Sequence, residues 1–161
     1  MKKYRRIVIL GNLIILLVLF NNSIFQKEAL LSDGQLVLLE LAPVDPRSLM
    51  QGDYMRLRYK ISEGVAYDSI SKRGFCIVKL DSRGVAERVR IQKENLPLNR
   101  NEHPIEYTSD KWSINIGAES YFFQEGDADK FENAVFGGVK IDADGNSILI
   151  GLYNKDLQQI H

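Results

Sequence analysis

The N-terminal segment places the strongest constraint on what this chain can fold into. The first six residues carry four cations and precede an apolar run over residues 7–25. As a helix, this run would extend about 28 Å, close to the roughly 30 Å hydrocarbon core of a bilayer. The next cation is Lys27, so positive charge is concentrated before the run. We therefore expect a membrane-spanning helix with its N-terminus in the cytoplasm and the remainder exported.

A cleavable signal peptide has a similar charged start and apolar centre. Cleavage, however, requires small residues just after the apolar run. The chain has Asn21, Asn22 and Ser23 near the end of the run, followed by Lys27 and Glu28. We therefore expect an uncleaved signal-anchor helix over residues 7–25, a cytoplasmic tip over residues 1–6 and an exported domain over residues 26–161.

The charge balance and the small number of cysteine and histidine residues argue against several classes of function. The whole chain carries 21 basic and 21 acidic residues, and the four cations of the tip leave 17 basic residues in the exported part. A mildly acidic exported domain argues against nucleic-acid binding. Cys76 is the single cysteine and alternates with Val78 and Leu80, which favours a small buried hydrophobe. We expect no metal or cofactor, with His103 exposed in a polar loop beside Pro104.

The exported part has a pattern of short strands and turns. Residues 35–42 form a nearly continuous apolar run, typical of a buried strand. Two hairpins are indicated, residues 75–80 with 85–91 and residues 139–141 with 148–152, because Gly84 and Gly145 lie in the turns between them. Shorter strands and helical turns are expected elsewhere: strands at 105–107, 111–117 and 121–123, a helical turn at 45–51 and a short helix at 125–134. The pattern predicts a mainly β fold, a small antiparallel sandwich or partly open barrel with one or two short helices.

Two glycine-bearing segments are better explained by structure than by binding. Asp142, Asp144 and Asn146 match the first ligand positions of a calcium loop, but Ser147 and Tyr153 stand where that loop requires Gly and Glu. Turn chemistry is the simpler interpretation. Residues 137–138 are consecutive glycines without the Lys-Ser/Thr of a phosphate loop, so we expect close backbone packing or a bulge there.

The most specific stretch of the chain is Gly52-Asp53-Tyr54-Met55-Arg56-Leu57-Arg58-Tyr59. Its side chains alternate with a period of two, which predicts a half-buried strand entered through a turn at Gly52 and Asp53. The inward face would be Met55, Leu57, Tyr59 and Ile61. The outward face would be Tyr54, Arg56, Arg58 and Lys60, which is either a solvated strip or a candidate interaction face.

This stretch closely resembles the defining motif of the GDYXXLXY family of membrane-anchored bacterial proteins. The matching motif positions are Gly52, Asp53, Tyr54, Leu57 and Tyr59, and residues 37–47, 121–126, 136–142 and 149–152 extend the likeness. The resemblance implies a small single-anchor protein, commonly encoded beside multi-pass membrane proteins of unknown function. It implies no catalytic residues.

The leading expectation is a non-enzymatic accessory protein whose β domain docks on a partner, and that partner would be a multi-pass membrane protein. The rival is an exported ligand-binding module built from the candidate interaction face with residues 121–123 and Glu125. A concave pocket lined by those residues would favour a ligand, and a flat apolar patch would favour docking.

A second alternative is a remote, inactive relative of type I signal peptidases. Pro46, Leu49 and the Gly52-Asp53 pair are similar to a strand motif of those enzymes. The spacing is one residue longer, and Ala42 and Pro43 stand where the nucleophilic serine would be. Without a nucleophile, we expect no peptidase activity.

Overall fold

The computed structural model describes residues 2–42, 54–65, 70–110, 113–124 and 126–161. A single long helix, α1, runs from Lys2 to Asp33. Nearly all of its described side chains are exposed, and its segment Ile7–Asp33 is long and apolar enough to cross a membrane. Only Leu30 is buried, where the helix meets the β domain. The helix therefore continues eight residues beyond the run predicted to be the span.

In the part of the chain that the structure describes, nine strands follow in three sheets. Their bounds are β1 Gln35–Glu40, β2 Tyr54–Arg56, β3 Arg73–Leu80, β4 Ala86–Gln92, β5 Glu102–Ser109, β6 Ile114–Asn115, β7 Ser120–Phe122, β8 Phe136–Ile141 and β9 Ser147–Tyr153. The strand orders are β1-β8-β9, β2-β7 and β4-β3-β5-β6, and every named pair is antiparallel. The described residues also contain two short 3-10 helices, Lys60–Ser62 and Ala128–Phe131. The predicted mainly β architecture is confirmed, and the sheets do not close into a barrel.

Both predicted hairpins are confirmed. The β3–β4 turn has Gly84 at φ 81°, and the β8–β9 turn has Gly145 at φ 91°, backbone angles that favour glycine. In the second turn the Asp142 carboxylate accepts hydrogen bonds from the backbone N–H groups of Asp144 at 3.0 Å and Asn146 at 2.9 Å. The aspartate therefore holds the turn in the way that its sequence pattern indicates.

The larger of two hydrophobic clusters joins the three sheets. It contains Val37 and Val139 of the first sheet, Met55 of the second, and Cys76 and Ile105 of the third, each no more than 2% exposed. The sheets are also linked at their edges by a parallel bridge between Leu38 and Val85. The buried apolar faces of all three sheets are thus covered by one another.

The structure corrects the prediction for His103 and Pro104. His103 was expected to be exposed in a polar loop, but it lies half-buried in β5, which begins at Glu102 and is paired with β3. Proline has no backbone N–H to donate. Pro104 is nevertheless compatible with this strand, because on the side of β5 away from β3 the only described neighbouring strand, β6, pairs with Thr108 and Ser109 and does not reach Pro104. Strand β5 forms because it hydrogen-bonds along β3, and amino-acid composition does not reveal that pairing.

The structure also shortens the motif strand. The predicted alternation of burial continues to Ile61, yet β2 ends at Arg56 because the chain changes hydrogen-bond partners. The N–H of Leu57 donates to the carbonyl of Glu119 at 2.8 Å, and the carbonyl of Arg58 accepts from the N–H of Ala42 at 2.8 Å. The helical turn predicted for residues 45–51 lies outside the described residues.

Candidate functional site

The motif side chains divide between core and surface as the alternation predicts. Gly52 and Asp53 lie outside the described residues. Leu57 and Tyr59 are 2% and 1% exposed, and Met55 is buried beside them. Arg56, Arg58 and Lys60 are exposed, and Tyr54 is half-buried. The motif therefore combines core residues with a polar strip on the outside.

Tyr59 is a core residue in the described structure. Its hydroxyl donates a hydrogen bond to the backbone carbonyl of Ala118 at 2.5 Å. Burial, with a smaller contribution from the charge of Glu119, raises its pKa well above the ordinary tyrosine range. A neutral, buried phenol that donates a hydrogen bond to the backbone stabilises the fold.

The predicted close packing at the paired glycines is confirmed. A Cβ atom on Gly137 would lie 2.8 Å from Cε1 of Tyr59, and one on Gly138 would lie 2.3 Å from Cε2 of Tyr153. The register between β8 and β9 also shifts between Gly138 and Val139. The last tyrosine of the motif therefore packs directly on the glycine pair near the end of the chain.

An aromatic pair lies at the start of the motif strand, with one ring exposed and the other half-buried. Tyr54 is opposite Phe122 in the β2–β7 ladder, and their ring centroids are 5.8 Å apart. The Phe122 side chain is 74% exposed. Its neighbours Tyr121 and Phe123 are instead partly buried against Phe131, at centroid distances of 5.1 and 5.5 Å. Of residues 121–123, only Phe122 is thus free to contact another molecule.

Arg56 and Arg58 line a concave groove with a volume of about 350 Å³. We call this the motif groove; its other polar lining residues include Ser62, Glu63, Asp110, Ser113, Asn115 and Glu119. Tyr54 and Lys60 are not part of the lining. Lys60 instead pairs with Glu40 on the surface, at an N–O distance of 3.2 Å. The structure thus brings together two residues of the predicted interaction face and directs the other two elsewhere.

Two acidic residues that line the motif groove, Asp110 and Glu119, were not identified from the sequence. The Asp110 carboxylate accepts hydrogen bonds from the N–H of Ser113 at 2.7 Å and from its hydroxyl at 3.2 Å. The Glu119 carboxylate accepts from the N–H of Ile116 at 2.5 Å. These carboxylates hold loops in place and line the same groove as the two arginines. No local motif marks them, because the loops that carry them are remote from the arginines in sequence.

The groove chemistry suits binding of a polar group. Two guanidinium groups provide a planar array of donors, and the carboxylates make the groove mixed in charge rather than strongly cationic. In the part of the chain that the structure describes, no cluster of three or more His, Cys, Asp or Glu side chains could hold a metal ion.

Cys76 is buried in the core, as predicted. It is 0% exposed, and burial raises the pKa of its thiol to about 12. The thiolate is the reactive form of cysteine, so this thiol is chemically inert in the folded protein.

A family model described as GDYXXLXY protein matches residues 16–152. The chain belongs to the GDYXXLXY family. The match includes the naming motif, the lining of the motif groove and the glycine pair on which Tyr59 packs. The resemblance inferred from the sequence is therefore confirmed. No curated protein and no solved structure matches the chain.

Proposed function

We propose that this GDYXXLXY protein is a non-enzymatic accessory protein of the bacterial inner membrane. Helix α1 spans the bilayer with its N-terminus in the cytoplasm, and the exported β domain docks on a multi-pass membrane protein. The apolar length of α1 and the four cations before it support the anchor and its orientation.

The observation that carries the proposal is the direct joining of α1 to the β domain. Only Gly34 separates the end of α1 from β1. The Lys140 ammonium of β8 donates hydrogen bonds to the carbonyls of Leu31 and Ser32 in the last turn of the helix. From Phe25 to Asp33 the helix rises about 12 Å. With α1 in the bilayer, this junction keeps the domain close to the membrane surface, which favours a membrane-bound partner.

The aromatic pair of Tyr54 and Phe122 is the surface best suited to that contact. Aromatic residues and arginine are enriched at the centres of protein interfaces. Phe122 is 74% exposed and Arg56 is the adjacent exposed residue of the paired strand. Together they provide an apolar anchor with a neighbouring cationic donor.

The motif groove favours a second candidate function, binding of a small polar ligand. Its volume of about 350 Å³ lies at the lower end of the range of ligand sites, roughly 300–1,000 Å³. Arg56 and Arg58 would contact an anionic group on such a ligand. The two candidates share Arg56 and differ at Phe122, which does not line the groove.

Orientation is tested with reporter fusions. Alkaline phosphatase fused after His161 should be active, because that enzyme folds only outside the cytoplasm. An inactive phosphatase fusion together with an active cytoplasmic reporter would contradict the proposed orientation.

The partner is tested by site-specific photocrosslinking in the native membrane. A photoreactive phenylalanine analogue at Phe122 should capture a protein with several membrane spans, identified by mass spectrometry. The matched control is the same analogue at Val89, a 48% exposed residue of β4. Equal capture from both positions, or capture of soluble proteins alone, would contradict docking through Phe122.

A further inference from the structure

A second groove lies between the last turns of α1 and the β domain. It has a volume of about 420 Å³ and is separate from the motif groove except at Asn115. Ser23, Gln26 and Lys27 of α1 form one wall. Arg73 at the start of β3 and Glu106 of β5 belong to the wall formed by the β domain. We call it the juxtamembrane groove.

The walls of the juxtamembrane groove are held in fixed relation. Leu30 is 6% exposed because the β domain covers it. A Cβ atom on Gly34 would lie 2.3 Å from the carbonyl oxygen of Leu30, so the chain turns tightly from α1 into β1. Lys140 closes the same junction by binding the last carbonyls of α1. The groove is thus preformed, which lowers the cost of binding.

The position of the groove along α1 places it at the membrane surface. If residues 7–25 cross the hydrocarbon core, Ser23 lies at its outer boundary and Leu30 lies about 7 Å beyond Phe25. The headgroup layer adds roughly 5–8 Å on each side of the core. The helical wall of the groove therefore extends through the layer that lipid headgroups occupy.

The charged groups in the groove complement a zwitterionic headgroup. Lys27, Arg73 and Glu106 are exposed, and none of these side chains makes an ion pair or hydrogen bond with another described residue. Asp142 also lines the groove, but its carboxylate already accepts three hydrogen bonds within the β8–β9 turn. Two cations and one carboxylate are thus available to a ligand.

We propose that the juxtamembrane groove binds the headgroup of an outer-leaflet phospholipid that carries a primary amine. The phosphodiester oxygens accept hydrogen bonds from Lys27 and Arg73, and the ammonium donates to Glu106. Charge-assisted hydrogen bonds of this kind are stronger than neutral ones. The inference rests on the proposed membrane anchor and orientation, and it is independent of the docking partner.

Native mass spectrometry of the full chain in mild detergent tests this inference. The purified protein is exposed to equal amounts of phosphatidylethanolamine, phosphatidylglycerol and phosphatidylcholine. We expect preferential retention of phosphatidylethanolamine. Arg73→Gln and Lys27→Gln should each lower its retention about tenfold, as for the loss of one charge-assisted hydrogen bond. Glu106→Gln should remove the preference over phosphatidylglycerol while lipid is still retained.

The matched control is Arg83→Gln, which removes an exposed arginine on the β3–β4 turn, outside the groove. It should retain lipid like the wild type. Circular dichroism melts establish that each variant is folded. Equal retention of the three lipids by the wild type, or wild-type retention by Arg73→Gln and Lys27→Gln, would overturn the inference.

Two further measurements separate the possible causes of failure. Displacement of the lipid by millimolar inorganic phosphate would identify a phosphate site and overturn the lipid assignment. Release of the chain from membranes by alkaline washing would contradict the proposed anchor itself. A chain that resists the wash but retains no lipid would refute only the groove inference.

Discussion

At the residue scale, Tyr59 and Gly137 connect distant parts of the chain. The Tyr59 ring packs where a Gly137 side chain would be, and its hydroxyl binds the Ala118 carbonyl. A buried hydrogen bond of this kind stabilises a fold by about 1 kcal/mol, and leaving one partner unpaired costs more. Packing and this hydrogen bond are therefore sufficient to explain the final tyrosine of the motif.

The two faces of the motif segment should respond differently to substitution. Leu57→Asp places a charge at a site that is 2% exposed, so the β domain should unfold or lose several kcal/mol of stability. Arg58→Ala changes an exposed residue and should alter stability by no more than about 0.5 kcal/mol. Thermal unfolding of the full chain in detergent measures both effects. Similar losses from the two substitutions would contradict the face assignment.

At the scale of elements, the motif segment links two sheets. Its first part pairs with β7, and Tyr59 then forms an antiparallel bridge with Leu41 just beyond β1. A short segment thus changes partner without interrupting the alternation of inward and outward side chains. This change of partner positions Arg56 and Arg58 beside the loops that carry Asp110 and Glu119, and so forms the motif groove.

The junction of α1 with β8 can be tested through Lys140. A cation at a helix C-terminus contributes about 0.3–1 kcal/mol, and here it comes from another element. Lys140→Met should leave the β domain folded but increase amide hydrogen exchange at residues 31–35, because the last turn of α1 loses its donor. The control is Lys130→Met, which removes an exposed surface ion pair with Asp127. Unchanged exchange at residues 31–35 in Lys140→Met would show that the contact does not hold the junction.

At the scale of the whole molecule, stability in acid should depend on Glu102. Its carboxylate is 6% exposed and accepts a hydrogen bond from Arg90 at 2.7 Å. This bond, with those from Asn99, lowers the Glu102 pKa from 4.5 to about 2. A lowered folded pKa gives stability that is complete above about pH 4.5 and is lost as the pH falls toward 2.

Glu102→Gln should therefore flatten the pH dependence of unfolding. Between pH 5 and pH 2.5 the wild type should lose stability more steeply than this variant, as measured by thermal unfolding in detergent. Glu87→Gln, at an exposed position on β4, should keep the wild-type slope. A variant slope equal to that of the wild type would show that Glu102 does not govern this transition.

The sequence alone determined the features that depend on neighbouring residues. The apolar length of α1, the two hairpins with Gly84 and Gly145, and the inward positions of Leu57 and Tyr59 all follow from local pattern. Hydrophobic periodicity and turn residues involve positions close together in the chain, so they can be recognised directly in the sequence. The family was also evident from one short motif.

Only the tertiary structure decided which distant residues meet. Lys140 binds carbonyls more than 100 residues earlier in the chain. The motif groove and the juxtamembrane groove likewise combine side chains from separate loops and strands. Strand β5 includes polar residues and Pro104 because β3 provides its hydrogen bonds. Amino-acid composition does not show which strand a segment will pair with. These contacts depend on how the three sheets pack around one core, and such packing is a property of the complete chain.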